Sequence, residues 1–410
     1  MRTHRVRETT AAVRGRRGAP ARRLGAPLVL AALLLTACGP GGGGAGAASD
    51  AGARNAASRA VVTVAPKDGS TAVATSDALR ITASDGRLTT VTVEDDRGNG
   101  IEGRIAADGG SWLPLTHLAA ATRYRVHAVA EDDRGRVSAK DTSFTTLVPR
   151  DTFIAHHTPE GGAVVGVGMP VSLVFTQGIT EPEAVERAVT VTADPPVEIA
   201  GHWFGDNRLD FRPERYWRPG TEVTVRIGLD GVQGRPGVHG TQSKTFSFTV
   251  GRAQVSTVDA AVKTMEVRRD GRPLRTLAVT AGAPATTTYN GVMVIGEKHR
   301  VTRMNGATVG FGGEYDIKDV PHALRLSASG TFVHGDYWSS PGTFGTTNVS
   351  HGSVGLRDVR GGGDRTSPAA WFYENSLLGD VVVVKNSQDG VIAPENGLNG
   401  WNMTWAEWKR

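Results

Sequence analysis

Cysteine is nearly absent: Cys38 is the only one in 410 residues. An intrachain disulfide and a cysteine-based zinc site are therefore excluded, and no thiol nucleophile exists beyond residue 38. Positive charge is scarce once its position is considered. The net charge of +5 rests on residues 1–38, whose eight arginines and one glutamate contribute +7, leaving −2 for everything after Cys38. A basic surplus confined to one terminal segment gives no ground for a nucleic-acid partner. Long apolar runs are missing too. Leu28–Leu35 falls well short of the roughly 20 residues that a membrane-spanning helix needs.

What is there suits two or three domains, since 410 residues exceed one ordinary domain and 39% of them are apolar, enough for each domain to bury a core. The arginine-rich start and the short apolar run form a signal-peptide pattern over residues 1–38. It ends in Leu35-Thr36-Ala37-Cys38, which resembles the bacterial lipobox. That resemblance implies cleavage before Cys38, acylation of its thiol, and an anchor on the outer face of the cytoplasmic membrane, toward the cell wall. Residues 39–60, made largely of Gly, Ala, Ser and Asn, read as a flexible linker, because such a composition buries too little apolar surface to fold.

Residues 61–148 and 149–252 show short alternating segments separated by Gly and Pro, which predicts a β-sandwich in each. Leu79-Arg80-Ile81-Thr82 and Tyr124-Arg125-Val126-His127 alternate in the first, Val171-Ser172-Leu173-Val174-Phe175 and Lys244 to Val250 in the second. Glu94-Asp95-Asp96-Arg97-Gly98 recurs as Glu131-Asp132-Asp133-Arg134-Gly135. Both follow a strand and lack the regular ligand alternation of a calcium loop, so they read as matching hairpin turns. His156 and His157 are adjacent and so face opposite sides of a strand, as surface residues.

Residues 253–387 change character. Phe332-Val333-His334-Gly335 precedes Ser350-His351-Gly352-Ser353-Val354-Gly355-Leu356-Arg357, a small polar residue between a glycine and an apolar strand, with histidines nearby to move protons. The arrangement resembles the catalytic motif of the L,D-transpeptidases, the YkuD-type enzymes that cross-link peptidoglycan, in which the motif reads Ser-His-Gly-Cys. The pair of sandwiches resembles the immunoglobulin-like domains that precede this catalytic domain in membrane-tethered members. The whole is thus mainly β: two immunoglobulin-like sandwiches, then a β-rich YkuD-type domain with one short helix near the site, in Pro368 to Leu378.

The resemblance implies roles by position. Ser353 stands at the nucleophile position, His334 is the base, the carbonyl of Gly335 orients its ring, His351 is structural or orients substrate, and the Gly352 amide faces the oxyanion. Gly291 to Asp316 corresponds to a flap over the substrate, with Met304 and Tyr315 facing either the pocket or the underside of the flap. Asn348 and Ser350 join the substrate-facing set, and Arg357 offers a cation for a stem carboxylate where other branches carry arginine at the Gly355 position. The tail, 388–410, carries Trp401, Trp405 and Trp408; their spacing predicts one helical face, packed back on the preceding domains or open to sugars.

In the family a thiolate attacks the stem tetrapeptide, releases D-alanine, and an amine from a neighbouring stem resolves the acyl-enzyme to a 3→3 cross-link. Peptidoglycan stem peptides and carbapenem-type inhibitors are the implied partners, without a cofactor or metal. A metal site of the two histidines and Asp336 lacks a clear ligand set. Serine is far less acidic than a thiol and needs an aligned base in the transition state. Loss of a nucleophile costs on the order of a million-fold, about 8 kcal/mol, so weak or absent turnover with retained binding is expected. Three origins of Ser353 stay open: an engineered trap, an inactive peptidoglycan-binding pseudoenzyme, or a working serine variant.

Overall fold

The computed structural model describes residues 57–308 and 315–410. The expected signal peptide, the expected lipidation position Cys38 and the expected linker up to residue 56 lie outside the described residues, as do residues 309–314 of the expected flap. Among the described residues no helix is long and apolar enough to cross a membrane.

Strict burial alternation makes the first sandwich. Val61–Ala65 and Arg123–Glu131 bury every second side chain, so each strand has one core face. One four-stranded sheet runs Val61–Ala65, Arg80–Ser84, Ser111–Pro114, Gly103–Ile105; the other runs Ser70–Val73, Val137–Thr146, Arg123–Glu131, Arg87–Asp95. Ile81, Trp112, Tyr124 and Phe144 fill the space between. The acidic repeats are turns: Asp95 Oδ1 accepts the amides of Arg97 and Asn99, and Asp132 Oδ1 those of Arg134 and Arg136. Gly98 and Gly135 supply the positive φ, 82° and 72°. The linker ends sooner than its composition suggested. Ser58 donates to the Arg136 carbonyl and the Arg59 amide to Asp132 Oδ2, because the turn at Asp132 has acceptors to spare.

The second sandwich pairs two further four-stranded sheets and a small three-stranded one around Leu173, Trp217, Val225 and Phe248. Its His157 stacks on Phe246 at 4.0 Å while His156 is exposed.

The third region is one nine-stranded sheet: β1 (Gln254–Asp259), β2 (Thr264–Arg269), β3 (Arg272–Thr280), β4 (Gly291–Val294), β5 (Glu297–Asn305), β6 (Asp316–Arg325), β7 (Phe332–Asp336), β8 (Val354–Arg357) and β9 (Val381–Lys385). The spatial order is β4-β9-β1-β2-β3-β8-β7-β6-β5. Only β1–β9 and β7–β8 are parallel pairs. Helix Pro368–Glu374, capped by the Ser367 hydroxyl, covers one face through Ala369 and Phe372.

Two expectations need correction. The stretch expected as one flap is divided: Gly291–Val294 pairs with β9 at one edge of the sheet, and only β5 and β6 form a hairpin, at the opposite edge. The tail tryptophans do not share one helix. Gly400–Asn402 is a short 3-10 turn, Met403 is extended, and Thr404 caps a separate helix, Trp405–Trp408. The three indoles converge nonetheless: Arg212 lies 4.7, 5.5 and 4.3 Å from the Trp401, Trp405 and Trp408 rings.

Candidate active site

The parallel pair β7–β8 builds the site. Register sets Val333 against Val354 and His334 against Gly355. Val333, Val354 and Leu356 point into the core. Alternation therefore sends Phe332, His334 and Asp336 to the other face, together with Ser353 and Gly355. Ser353 and His334, separated by 19 positions along the chain, thus become neighbours on one face. The Phe332 amide donates to Ser353 Oγ at 3.1 Å, which fixes the hydroxyl at the mouth of β8.

His334 is 4% exposed. Its Nδ1 faces the Gly335 carbonyl at 3.1 Å; a carbonyl only accepts, so Nδ1 carries the proton and Nε2 keeps its lone pair. Burial holds the imidazole below its ordinary pKa, against smaller opposing effects of the Gly335 carbonyl and the Asp336 charge. The ring is neutral at pH 7. Trp338 stacks over it, centroids 5.5 Å apart and planes 18° apart.

The turn before β8 is strapped from below. Gly352 has φ +97°, a conformation that favours glycine. Ser350 donates through its hydroxyl to the Ser353 carbonyl and through its amide to Ala281, and its own carbonyl accepts from Ala283 and Thr286. Asn348 uses its amide oxygen on Ala281 N and its nitrogen on the Ala260 carbonyl. Both residues, read from sequence as substrate-facing, brace the turn instead: their polar atoms are occupied by backbone. His351 is exposed, with its ring 5.0 Å from that of Tyr315 at the flap base. Met304 packs under the hairpin with Val320, Ala323 and Phe332, the underside position. Arg357 is exposed at the far end of β8, four residues and about 13 Å along the strand from Ser353, too distant to serve a carboxylate held at the hydroxyl.

Sequence reading missed Trp338 as the cover of His334 and a buried trio behind β7. His322 Nδ1 donates to Asp358 Oδ2 at 2.7 Å, and Ser367 Oγ to Asp358 Oδ1 at 2.9 Å. A Cβ on Gly335 would lie 2.2 Å from Asp358 Oδ2. No local pattern announces contacts between residues 322, 358 and 367.

Comparison with known proteins gives the family. A model of the L,D-transpeptidase catalytic domain matches residues 253–384, and a bacterial Ig domain model matches residues 70–233, through both sandwiches. L,D-transpeptidase 2 of Mycobacterium tuberculosis is 32% identical over 351 residues, 85% of this chain and 84% of that protein. The chain belongs to the L,D-transpeptidase family. L,D-transpeptidase 5 of the same species is 27% identical over 354 residues, 85% of this chain and 76% of that one. Among solved structures, an L,D-transpeptidase in complex with imipenem is 30% identical, covers 58% of this chain and 100% of its own, with a TM-score of 0.47. As an L,D-transpeptidase the protein is of the acyltransferase class that acts on peptidoglycan.

Proposed function

We propose that this L,D-transpeptidase forms 3→3 cross-links with Ser353 as nucleophile and His334 as general base. The supporting observation is a neutral, buried imidazole on the same face of β7–β8 as the Ser353 hydroxyl. A thiolate nucleophile is served by an imidazolium; a serine hydroxyl needs the neutral base that burial provides here. His334 Nε2 takes the Oγ proton as Oγ attacks the carbonyl between the third and fourth stem residues. The C–N bond then breaks, D-alanine leaves with that proton on its nitrogen, and an ester remains. An amine of a neighbouring stem then attacks the ester and gives one of its own protons to His334; the C–N bond forms, the C–O bond to Ser353 breaks, and His334 passes that proton to the departing Oγ. Lipidation at Cys38 would anchor the protein to the outer face of the membrane, on the side of the cell wall.

Intact-protein mass spectrometry of the region from about residue 57, after incubation with imipenem or with a stem tetrapeptide, tests the reading. The expected result is an adduct that maps to Ser353, is absent in Ser353→Ala and forms faster in Ser353→Cys. An adduct in Ser353→Cys alone would overturn serine chemistry and leave a peptidoglycan-binding module with disabled catalysis.

A further inference from the structure

We propose that Asp336 is a positioning residue for this acyl transfer: buried two residues beyond His334 on the same face of β7, it stabilises the imidazolium formed when His334 takes the Ser353 proton. The inference rests on the serine reading above and adds the group that makes it workable.

Asp336 is only 3% exposed, an unusual place for a carboxylate unless something holds it. Its Oδ1 accepts the amides of Trp338 at 3.2 Å and Ser339 at 2.9 Å. Those two bonds turn the chain out of β7 and set the Trp338 indole over the His334 ring. The carboxylate also needs room on the neighbouring strand. Gly355 provides it: a Cβ there would come within 3.3 Å of Asp336 Cβ and Oδ2, and within 2.8 Å of Thr280. Gly355 is therefore the complement of Asp336. The field of Asp336 reaches the imidazole, since it draws the His334 pKa upward against the pull of burial.

A serine nucleophile makes this charge matter more than a cysteine would. With cysteine the imidazolium exists before attack, so a nearby carboxylate stabilises ground state and transition state alike. With serine the imidazolium appears only as Oγ loses its proton, so the same carboxylate acts on the barrier. The Nδ1 tautomer is already fixed by the Gly335 carbonyl, so Asp336 contributes through charge and placement and not through tautomer choice.

The test is a two-by-two comparison in the protein from about residue 57 onward: Asp336→Asn in the natural Ser353 protein and in Ser353→Cys, with imipenem as acylating probe. Asparagine keeps the acceptor for both amides, so the turn and Trp338 stay in place. Attack on the lactam forms the Oγ–C bond, breaks the ring C–N bond and leaves the proton on the ring nitrogen. In the serine protein, Asp336→Asn should lower the saturating acylation rate constant about tenfold or more, with the half-saturating imipenem concentration unchanged. In the cysteine background the same substitution should change that rate less than about threefold. Equal losses in both backgrounds, or none in the serine protein, overturn the inference while leaving serine chemistry standing. No acylation of the unsubstituted protein removes the serine reading and this inference with it.

Discussion

At Gly335 two demands meet on one residue. Its carbonyl accepts from His334 Nδ1, and its Cα lies against the Asp358 carboxylate, which is held by His322 and Ser367. Asp358 is buried, and its bond to the backbone amide of Val359 leaves it little freedom to retreat. Gly335→Ala would force β7 away from Asp358, with a loss of about 1–3 kcal/mol expected for an overpacked core position. The displaced carbonyl would release the His334 ring. A lower melting temperature together with slower acylation at Ser353 is the expected outcome; an unchanged acylation rate would show that the carbonyl does not orient the base. The motifs that carry His334, Gly335 and Ser353 were legible in sequence because each is short and contiguous. The reason Gly335 must lack a side chain was not, since Asp358 and His322 lie 23 and 13 positions away. Asp336 was legible in principle: strand alternation alone puts residues i and i+2 on one face.

Among the elements, the tail was read with the right destination and the wrong shape. Helical spacing of Trp401, Trp405 and Trp408 suggested one continuous helix, yet Thr404 and Glu407 form a capping box that starts a new one. That signature, Thr-x-x-Glu, was present in the sequence and outweighs the periodicity. What holds the tail is non-local. Asn402 and Asn399 bond the backbone of β4, Trp401 Nε1 donates to Gly168, and Trp408 Nε1 to Ala200. Arg212, 1% exposed and brought down to about 10 by burial, remains charged at neutral pH and lies against the three indole faces. The tail is thus a strap from the catalytic sheet to the second sandwich. Trp408→Ala removes a 1% exposed indole and uncovers a buried guanidinium, so roughly 3–5 kcal/mol of stability should be lost. The loss should show in urea unfolding followed by fluorescence of the second sandwich, with tail residues becoming protease-sensitive; a tail that stays protected would mean the Asn399 and Asn402 contacts suffice alone.

For the whole molecule, the order of two sandwiches and a larger sheet could be read from alternation and turns, but not how rigidly one meets the next. That depends on backbone approaches that leave no trace in local pattern. Gly231 admits the Leu118 carbonyl where a Cβ would be 2.1 Å away, and Gly166 lies against Asp380 N at 2.3 Å by the same measure. Gly166 and Gly168 donate to the Leu378 and Gly379 carbonyls, joining the second sandwich to the catalytic domain. At that seam Asp380 pairs with Arg252 at 3.1 Å, near Lys298. Burial outweighs the cations, and the Asp380 carboxyl is pushed up to about 6 from an ordinary 3.8. The fold therefore favours the protonated acid: this contribution to stability is full below about pH 4 and is lost as pH rises through 6. Moving a carboxyl that far amounts to roughly 3 kcal/mol. Asp380→Asn should accordingly remove a downward slope in urea stability between pH 4 and pH 7, seen as a difference between variant and natural protein so that other carboxylates cancel. Parallel curves for the two proteins would mean that Arg252 and Lys298 keep Asp380 ionised throughout, and that the seam between the second sandwich and the catalytic domain is indifferent to pH.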